Sequence, residues 1–168
     1  MDHIVDHSMQ VCRVATFLAH QLGSRHDHLN IDLIRAAALL HDITKTRSFE
    51  TSENHALTGG QFLAERGYPE VGDLVRQHVK LDEYPQSPVI NEVAIINYAD
   101  KRVLHDQVVT LQVRLDYILE RYGQVPEHRQ RIRLLWQKTK ELEEAIFRGI
   151  SFSPTELTRL IKPDCKCA

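Results

Sequence analysis

The segment from residue 31 to 45, IDLIRAAALLHDITK, constrains the fold more than any other part of the chain. It predicts a helix opened by Asn30 or Asp32, because Ala and Leu dominate it and no Gly or Pro interrupts it. The residues predicted to share its inward face are Ile34, Ala37, Ala38 and His41. This apolar pattern ends in an ionisable pair, His41-Asp42, whose burial requires a compensating partner. A bound metal would provide one, and so would a backbone carbonyl bonded to His41, with Asp42 in a turn.

The composition limits the classes of protein to which the chain can belong. Of 168 residues, 42% are hydrophobic and 26% are charged, and the formal net charge is -2. This balance predicts one globular domain and gives no basic excess that would attract nucleic acid. The first residues, MDHIVDHSMQVC, lack the basic and apolar regions of a signal peptide, and no apolar run approaches the roughly 18 residues of a membrane span. We therefore expect a cytoplasmic protein with no nucleic-acid or membrane partner.

Histidine is the unusual component of this composition, with ten residues. Six stand in polar contexts and are predicted to lie at the surface: His3, His20, His26, His28, His105 and His128. The other four align with apolar patterns. The three cysteines form no disulfide framework, because their number is odd and two of them, Cys165 and Cys167, lie at the extreme end.

Three further helices are predicted to carry a histidine on the apolar face. They are a helix from 6 to 22 headed by His7, a helix from 54 to 66 opened by His55, and a helix beginning at Pro69 that aligns His78 with its apolar stripe. Gly59, one turn after His55, would let another helix approach closely. Taken singly, each histidine is also explained by a hydrogen bond in the core or at a helix cap.

A carboxylate completes this pattern. A helix predicted from residue 89 or 91 to about 104 places Asp100 on its buried side. A single such Asp is also explained by an ion pair with a buried Arg. Residues 44–53 and 79–88 have no helical periodicity and are predicted to be loops.

The rest of the chain also predicts helices, and no strand pattern occurs anywhere. The predicted C-terminal elements are a helix from 111 to 122 ended by Gly123, a long helix from Pro126 to about 148, and a short helix opened by the capping box at 153–156. The expected fold class is all-α, a helical bundle with additional C-terminal helices. We divide it into a core at 1–105, a helical extension packed on the same domain at 106–162, and a tail at 163–168.

Several helices that each present one inward imidazole or carboxylate together predict a metal site, because a helical bundle can gather such ligands in its interior. His7, His41, Asp42 and Asp100 would hold one ion. His55 and His78, with Asp42 bridging, would hold a second.

This ordered set resembles the H…HD…D signature of the HD-domain metal-dependent phosphohydrolase superfamily. The sequences that carry the resemblance are HSMQVCRVATFLA, LLHDITK and NYADKR. The contexts ENHALTGGQFLAERGYP and VRQHVKL resemble the HDIG-like subgroup, in which two extra histidines give a two-metal site. The resemblance covers roughly residues 2–104.

The chain departs from that subgroup at two places. Thr44 stands where the subgroup often has Gly. Residues 67–69, Gly-Tyr-Pro, resemble a tripeptide of the cyclic-dinucleotide phosphodiesterase branch, but they precede His78, and Val79 follows it instead of a second His. We therefore interpret residues 67–69 as a helix stop, which argues against a cyclic di-GMP function.

The resemblance implies a hydrolase that acts on a phosphorylated, nucleotide-like small molecule with one or two divalent transition metals, which could be Fe, Mn, Ni, Co or Zn. Asp42 would orient the attacking water, and Lys45 would contact the phosphate. Lys101 and Arg102 are weaker substrate-binding candidates, for which surface salt bridges are the plainer interpretation. Asp82, Tyr84 and residues 44–53 are candidates for the edge of the pocket.

Two other functions fit the same residues. One is a metal-binding regulatory or scaffold domain without turnover, and the other is a di-iron oxygenase. The amphipathic C-terminal helices also make a homodimer an expectation.

Overall fold

The structure is a computed structural model that describes residues 2–23, 28–84 and 89–161. It confirms an all-α fold. The helices are α1 (Asp2–Leu22), α2 (Ile31–Leu40), α3 (Lys45–Thr51), α4 (His55–Ala64), α5 (Pro69–Arg76), α6 (Glu92–Lys101), α7 (Leu111–Tyr122), α8 (Pro126–Phe147) and α9 (Leu157–Leu160). Between α6 and α7 lie two short strands, β1 (Val103–Leu104) and β2 (Gln107–Val108), and a 3-10 turn, Pro154–Glu156, precedes α9.

Side-chain caps determine where the helices around the site begin. Asn30, Asn54 and Asn91 each accept hydrogen bonds from backbone N–H groups in the first turn of α2, α4 and α6. The cap of α4 makes His55 its first residue. At the other end of α2, His41 is the C-cap residue. Both histidines therefore lie at helix ends, next to loops that allow the side chains to turn towards a shared centre.

Helix α1 has the inward face that its sequence predicts. The stripe of α1 that follows His7 is buried and consists of Val11, Val14, Leu18 and Leu22. It packs against α2 and α6. Ile34, Ala37, Ala38 and His41 of α2 are fully buried, as expected. The core therefore lies between α1, α2 and α6, and the ligand candidates lie at one end of these apolar stripes.

Helices α4 and α5 approach each other closely through glycine. A Cβ added to Gly60 would lie 2.6 Å from the carbonyl oxygen of Gly72, and one added to Gly72 would lie 2.5 Å from that of Gly60. Gly59, the glycine expected to permit an approach, does face α5, because a Cβ added to it would lie 3.2 Å from the Val75 side chain. The closest backbone approach is at the next residue, Gly60, and it brings α5 against α4.

Three local predictions were wrong. His78 was expected on the helix that begins at Pro69, but α5 ends at Arg76 and His78 lies just beyond it. Residues 45–51 form α3 where a loop was expected, because Thr44 and Asp42 accept backbone hydrogen bonds that start the helix, from the N–H groups of Ser48 and Lys45. The chain after Lys101 turns into the β1–β2 hairpin, in which Val103 pairs with Val108. Strands of two residues are too short to show an alternating pattern.

Some predictions fall outside the described residues. They are the surface position of His26, part of the predicted loop at 79–88, the tail at 163–168, and Cys165 and Cys167. The described surface histidines, His3, His20, His28, His105 and His128, are exposed.

The C-terminal helices share the core of the bundle. Leu142 and Ile146 of α8 and Leu157 of α9 belong to the same buried apolar cluster as α1 and α6. The Trp136 indole N–H donates to the Leu111 carbonyl at 2.9 Å and joins α8 to α7. The boundary at residue 105 stays a prediction. Within the described parts of the chain, every helix is too short or too polar to cross a bilayer.

Candidate metal centre

Six side chains predicted as metal ligands lie together at one end of the bundle. They are His7 from α1, His41 and Asp42 from the end of α2, His55 from α4, His78 from the segment after α5, and Asp100 from α6. Each contacts at least one other member, so they form one continuous cluster. Whether they bind metal stays a prediction.

Asp100 anchors the first half of the cluster. Its Oδ1 lies 3.1 Å from His7 Nε2 and 3.7 Å from His41 Nε2. His7 is 7% exposed and His41 is completely buried. The ring centroids of these two histidines are 5.3 Å apart. This half therefore offers two imidazole nitrogens and one carboxylate oxygen to a single point.

Asp42 connects this half to the second. Its Oδ2 lies 3.5 Å from His41 Nε2, while its Oδ1 lies 3.2 Å from His55 Nε2 and 3.6 Å from His78 Nε2. The two Nε2 atoms of His55 and His78 are 3.2 Å apart. The two oxygens of Asp42 thus face different imidazoles, which is the arrangement that a bridging carboxylate requires.

Backbone carbonyls orient three of the four imidazoles. His41 Nδ1–H donates to the Ala38 carbonyl at 2.7 Å, and His78 Nδ1–H donates to the Val75 carbonyl at 2.7 Å. His7 Nδ1–H donates across the fold to the carbonyl of His105 at 2.9 Å. A neutral imidazole that donates from Nδ1 carries its lone pair on Nε2. All three Nε2 lone pairs therefore point at the carboxylates.

The donor set fits a divalent transition metal. Two atoms that each lie about 2.0–2.2 Å from one ion are separated by roughly 3.0–3.5 Å, which is close to the distances in the cluster. His41 Nε2 and Asp42 Oδ1 are buried and have no hydrogen-bond partner among the described residues. Two ligand triads, His7-His41-Asp100 and His41-Asp42-His78, have donor atoms within 4.8 Å of one another. Neutral imidazole and carboxylate suit several transition metals, so the donors do not identify one.

Electrostatics keeps the cluster in the protonation state that a metal needs. Burial lowers the pKa of His41 to about 4, so this imidazole is neutral at neutral pH. Burial alone would raise the pKa of Asp42, but His41, His55, His78 and Lys45 outweigh it and hold the pKa well below its usual range. The pKa of Asp100 is also low, because His7, Arg114 and His41 outweigh burial. Both carboxylates are therefore ionised.

Lys45 lies at the edge of this cluster. Its Nζ donates to Asp42 Oδ2 at 2.8 Å, and 29% of its side chain is exposed. Thr44, which stands where the related subgroup often has Gly, is buried and donates to the His55 carbonyl at 2.8 Å. Thr44 thus ties the segment after Asp42 to the start of α4, while the Lys45 side chain stays partly exposed.

Lys101 and Arg102 are not surface residues. Lys101 is 4% exposed and donates to the carbonyls of His78 and Asn97, both at 3.0 Å, and burial lowers its pKa to about 8. Arg102 is 1% exposed and pairs with Glu143 Oε2 at 3.2 Å. The surface salt bridges expected for them are therefore wrong. Lys101 supports the segment that carries His78, and Arg102 joins α6 to α8.

Of the candidates for the pocket edge, Asp82 and Tyr84 make contacts elsewhere, whereas Thr46, within 44–53, lines a groove. Asp82 pairs with Arg76 at 2.6 Å, and the Tyr84 ring lies 4.9 Å from the Lys138 amine. A largely apolar groove of about 230 Å³ does border the cluster. Its lining residues are Ile4, Val5, Ser8, Met9, Leu39, Leu40, Asp42, Ile43 and Thr46.

The sequence did not reveal Arg114 of α7, whose Nη2 lies 4.0 Å from Asp100 Oδ1. A signal was present, because Arg114 is three residues after Leu111 and four before Ile118, on the apolar side of α7. The supporting carbonyls of Ala38, Val75 and His105 left no signal, since any residue type supplies a carbonyl.

The fold and the cluster agree with the family comparison. A protein-family model described as "HD domain" matches residues 4–103, more than half of the chain. The protein belongs to the HD-domain family, whose members are generally metal-dependent phosphohydrolases. The match spans α1 to the first residue of β1 and contains all six ligand candidates.

Individual relatives match over shorter or weaker stretches. Ribonuclease Y from Petrotoga mobilis is 36% identical over 76 residues, which are 45% of this chain and 14% of the relative. Ribonuclease Y from Rubrobacter xylanophilus is 36% identical over 74 residues, 44% of this chain and 13% of the relative. An uncharacterized protein from Methanocaldococcus jannaschii is 23% identical over 134 residues, 72% of this chain and 76% of the relative. The chain thus spans about a seventh of the length of the ribonucleases, and no solved structure matches.

Proposed function

We propose that the protein is a metal-dependent phosphohydrolase that cleaves a phosphate ester or anhydride bond of a nucleotide-like metabolite. One observation carries this proposal: the Nε2 atoms of His7, His41 and His78 face ionised carboxylates while each Nδ1–H donates to a backbone carbonyl. Lone pairs that face one another in a buried site need a cation between them. The low pKa of His41 makes a proton unavailable to it at neutral pH, which favours a metal ion.

The ligands divide into two groups. His7, His41, Asp42 and Asp100 would hold the first ion, and His55 and His78, sharing Asp42, would hold the second. When bound, such ions supply hydroxide near neutral pH and withdraw charge from phosphoryl oxygens. The carbonyls of Ala38, Val75 and His105 keep the imidazoles in the orientation that binding requires.

Lys45 would offset the negative charge that develops on the phosphoryl group. Its amine stands beside Asp42, and its side chain is partly exposed, so a substrate phosphate can approach it from solvent. A cation already in position stabilises a developing charge without reorganising solvent. The apolar groove beside Asp42 offers a surface for the base of a nucleotide.

An RNA phosphodiester is a second candidate substrate, which the names of the ribonuclease Y relatives support. The net charge of -2 argues for a small substrate instead, because RNA binding draws on many phosphate contacts with basic residues. A short RNA oligonucleotide in the assay separates these candidates.

The test is hydrolysis by protein loaded separately with Mn, Fe, Co, Ni or Zn, on nucleoside mono-, di- and triphosphates, a generic phosphodiester and an RNA oligonucleotide. We expect the parent protein to hydrolyse a nucleotide. Asp42→Ala should lose both this activity and the bound metal. Asp32→Ala, whose carboxylate is 95% exposed on α2, is the matched control and should retain both. Absence of turnover with every metal would favour the scaffold function, and full activity with Zn or Mn would exclude the di-iron oxygenase.

A further inference from the structure

Arg114 lies at the candidate metal centre although it comes from outside the matched HD domain, which ends at residue 103. The β1–β2 hairpin leads directly from α6 into α7, and its turn supplies the His105 carbonyl that holds His7. This places the first turn of α7 beside Asp100, with Arg114 Nη2 at 4.0 Å from its Oδ1. The C-terminal helices therefore bring a cation to the ligand cluster.

The Arg114 guanidinium is held in place, but its donors are not saturated. Only 13% of the side chain is exposed, and the ring of Tyr117, itself packed against His105, lies 5.8 Å from the guanidinium carbon. Its Nε is buried and has no hydrogen-bond partner among the described residues. The separation from Asp100 also exceeds the 2.7–3.2 Å range of a hydrogen bond. Burying a cation whose N–H groups have no hydrogen-bond acceptor is unfavourable unless an anion binds to those groups.

We propose that Arg114 binds the phosphoryl group of the substrate, so that α7 completes the active site. This inference rests on the proposed function. The planar fork of a guanidinium matches two phosphoryl oxygens, and Lys45 stands at the other carboxylate, beside Asp42. Two cations flanking the ligand cluster suit a terminal phosphoryl dianion better than an internal diester, which carries a single charge. The substrate class is therefore a phosphomonoester or the terminal phosphate of a nucleotide.

A structural role for Arg114 makes a different prediction. An arginine that served only to hold Asp100 would be needed for the retention of metal. An arginine that binds phosphate would leave metal content unchanged and affect the affinity for the anion. The two roles are separated by measuring both quantities in one variant.

The experiment is isothermal titration calorimetry of metal-loaded protein with inorganic phosphate, which measures the affinity for phosphate. Elemental analysis of the same samples measures the metal content. We expect Arg114→Gln to bind phosphate about 10- to 100-fold more weakly, the equivalent of losing a charged hydrogen bond, with unchanged metal content. Arg114→Lys should bind with intermediate affinity, because an amine keeps the charge but not the fork. Arg121→Gln, an exposed arginine in the last turn of the same helix, is the matched control and should bind like the parent protein.

Three results would overturn the inference. Unchanged phosphate affinity in both Arg114 variants would remove the anion-binding role. Loss of metal in Arg114→Gln, with Arg114→Lys retaining metal and binding phosphate like the parent, would show that Arg114 serves only to hold Asp100. A metal-loaded parent protein that binds no phosphate would refute the proposed function itself and this inference with it.

Discussion

Each oxygen of Asp42 faces a different part of the ligand cluster, so two separable metal subsites should exist. We expect the metal-replete parent protein to bind two ions per chain, and His55→Ala and His78→Ala to bind one, because His7, His41 and Asp100 remain intact. Elemental analysis measures the stoichiometry. His128→Ala, in an exposed position of α8, is the control. Loss of both ions in the His55 and His78 variants would show that the subsites are not separable.

Burial of neutral His41 should make metal-free protein sensitive to acid. Between pH 6.5 and about 4 the unfolded chain binds a proton at His41 that the folded chain does not, so the free energy of unfolding decreases as the pH falls. The decrease between pH 7 and 5 should be about 2 kcal/mol. Urea unfolding of chelator-treated protein at both pH values measures it.

His41→Asn should reduce this pH dependence, and exposed His128→Asn should leave it unchanged. If the free energy of unfolding of His41→Asn depends on pH as strongly as that of the parent protein, the dependence comes from groups other than His41.

The sequence identified five of the six ligand candidates because each lies on an apolar helix face, and Asp42 because it adjoins His41. His7, His41 and Asp100 are among the five, and the structure brings them together. The same reasoning did not find that Lys101 is buried, since a lysine near a helix end usually lies in water. Its burial depends on the carbonyls of His78 and Asn97, which belong to a tertiary contact.

At the scale of elements, the α4–α5 contact determines how closely His55 approaches His78. Gly60→Ala would place a methyl group 2.6 Å from the Gly72 carbonyl oxygen. We expect the free energy of unfolding to fall by about 1–3 kcal/mol and the second ion to bind more weakly, because α5 must move away. Chemical denaturation and metal titration measure the two effects.

Gln61→Ala, at the next, exposed position of α4, is the control and should change stability by less than about 0.5 kcal/mol. A fully stable Gly60→Ala protein with unchanged metal affinity would contradict the importance of this contact.

The helices could be predicted because caps and apolar faces mark them locally. Asn30, Asn54 and Asn91 fix the starts of α2, α4 and α6. Helix α3 and the β1–β2 hairpin could not be predicted, because α3 has no buried residue and the strands have two residues each. Both elements take their position from neighbours that the sequence does not identify.

At the scale of the whole molecule, Arg102 connects the HD core to the C-terminal helices. It donates to the carbonyls of Val109 and Pro154 and pairs with Glu143 of α8. Glu143→Gln leaves the buried guanidinium without its counter-charge, so the free energy of unfolding should decrease by about 2 kcal/mol. Glu144→Gln, at the adjacent exposed position, is the matched control in urea denaturation. Equal stability of the two variants would show that the ion pair does not hold α8 to the core.

The central claim is that six side chains from five segments of the fold surround a metal. Anomalous diffraction from crystals of metal-replete protein, collected on both sides of the absorption edges of Mn, Fe, Co, Ni and Zn, tests it most directly. We expect two peaks, each about 2.0–2.2 Å from its coordinating Nε2 atoms and from the oxygens of Asp42 or Asp100. Well-diffracting crystals of metal-replete protein that show no anomalous peak among His7, His41, His78 and the two carboxylates would contradict the metal site.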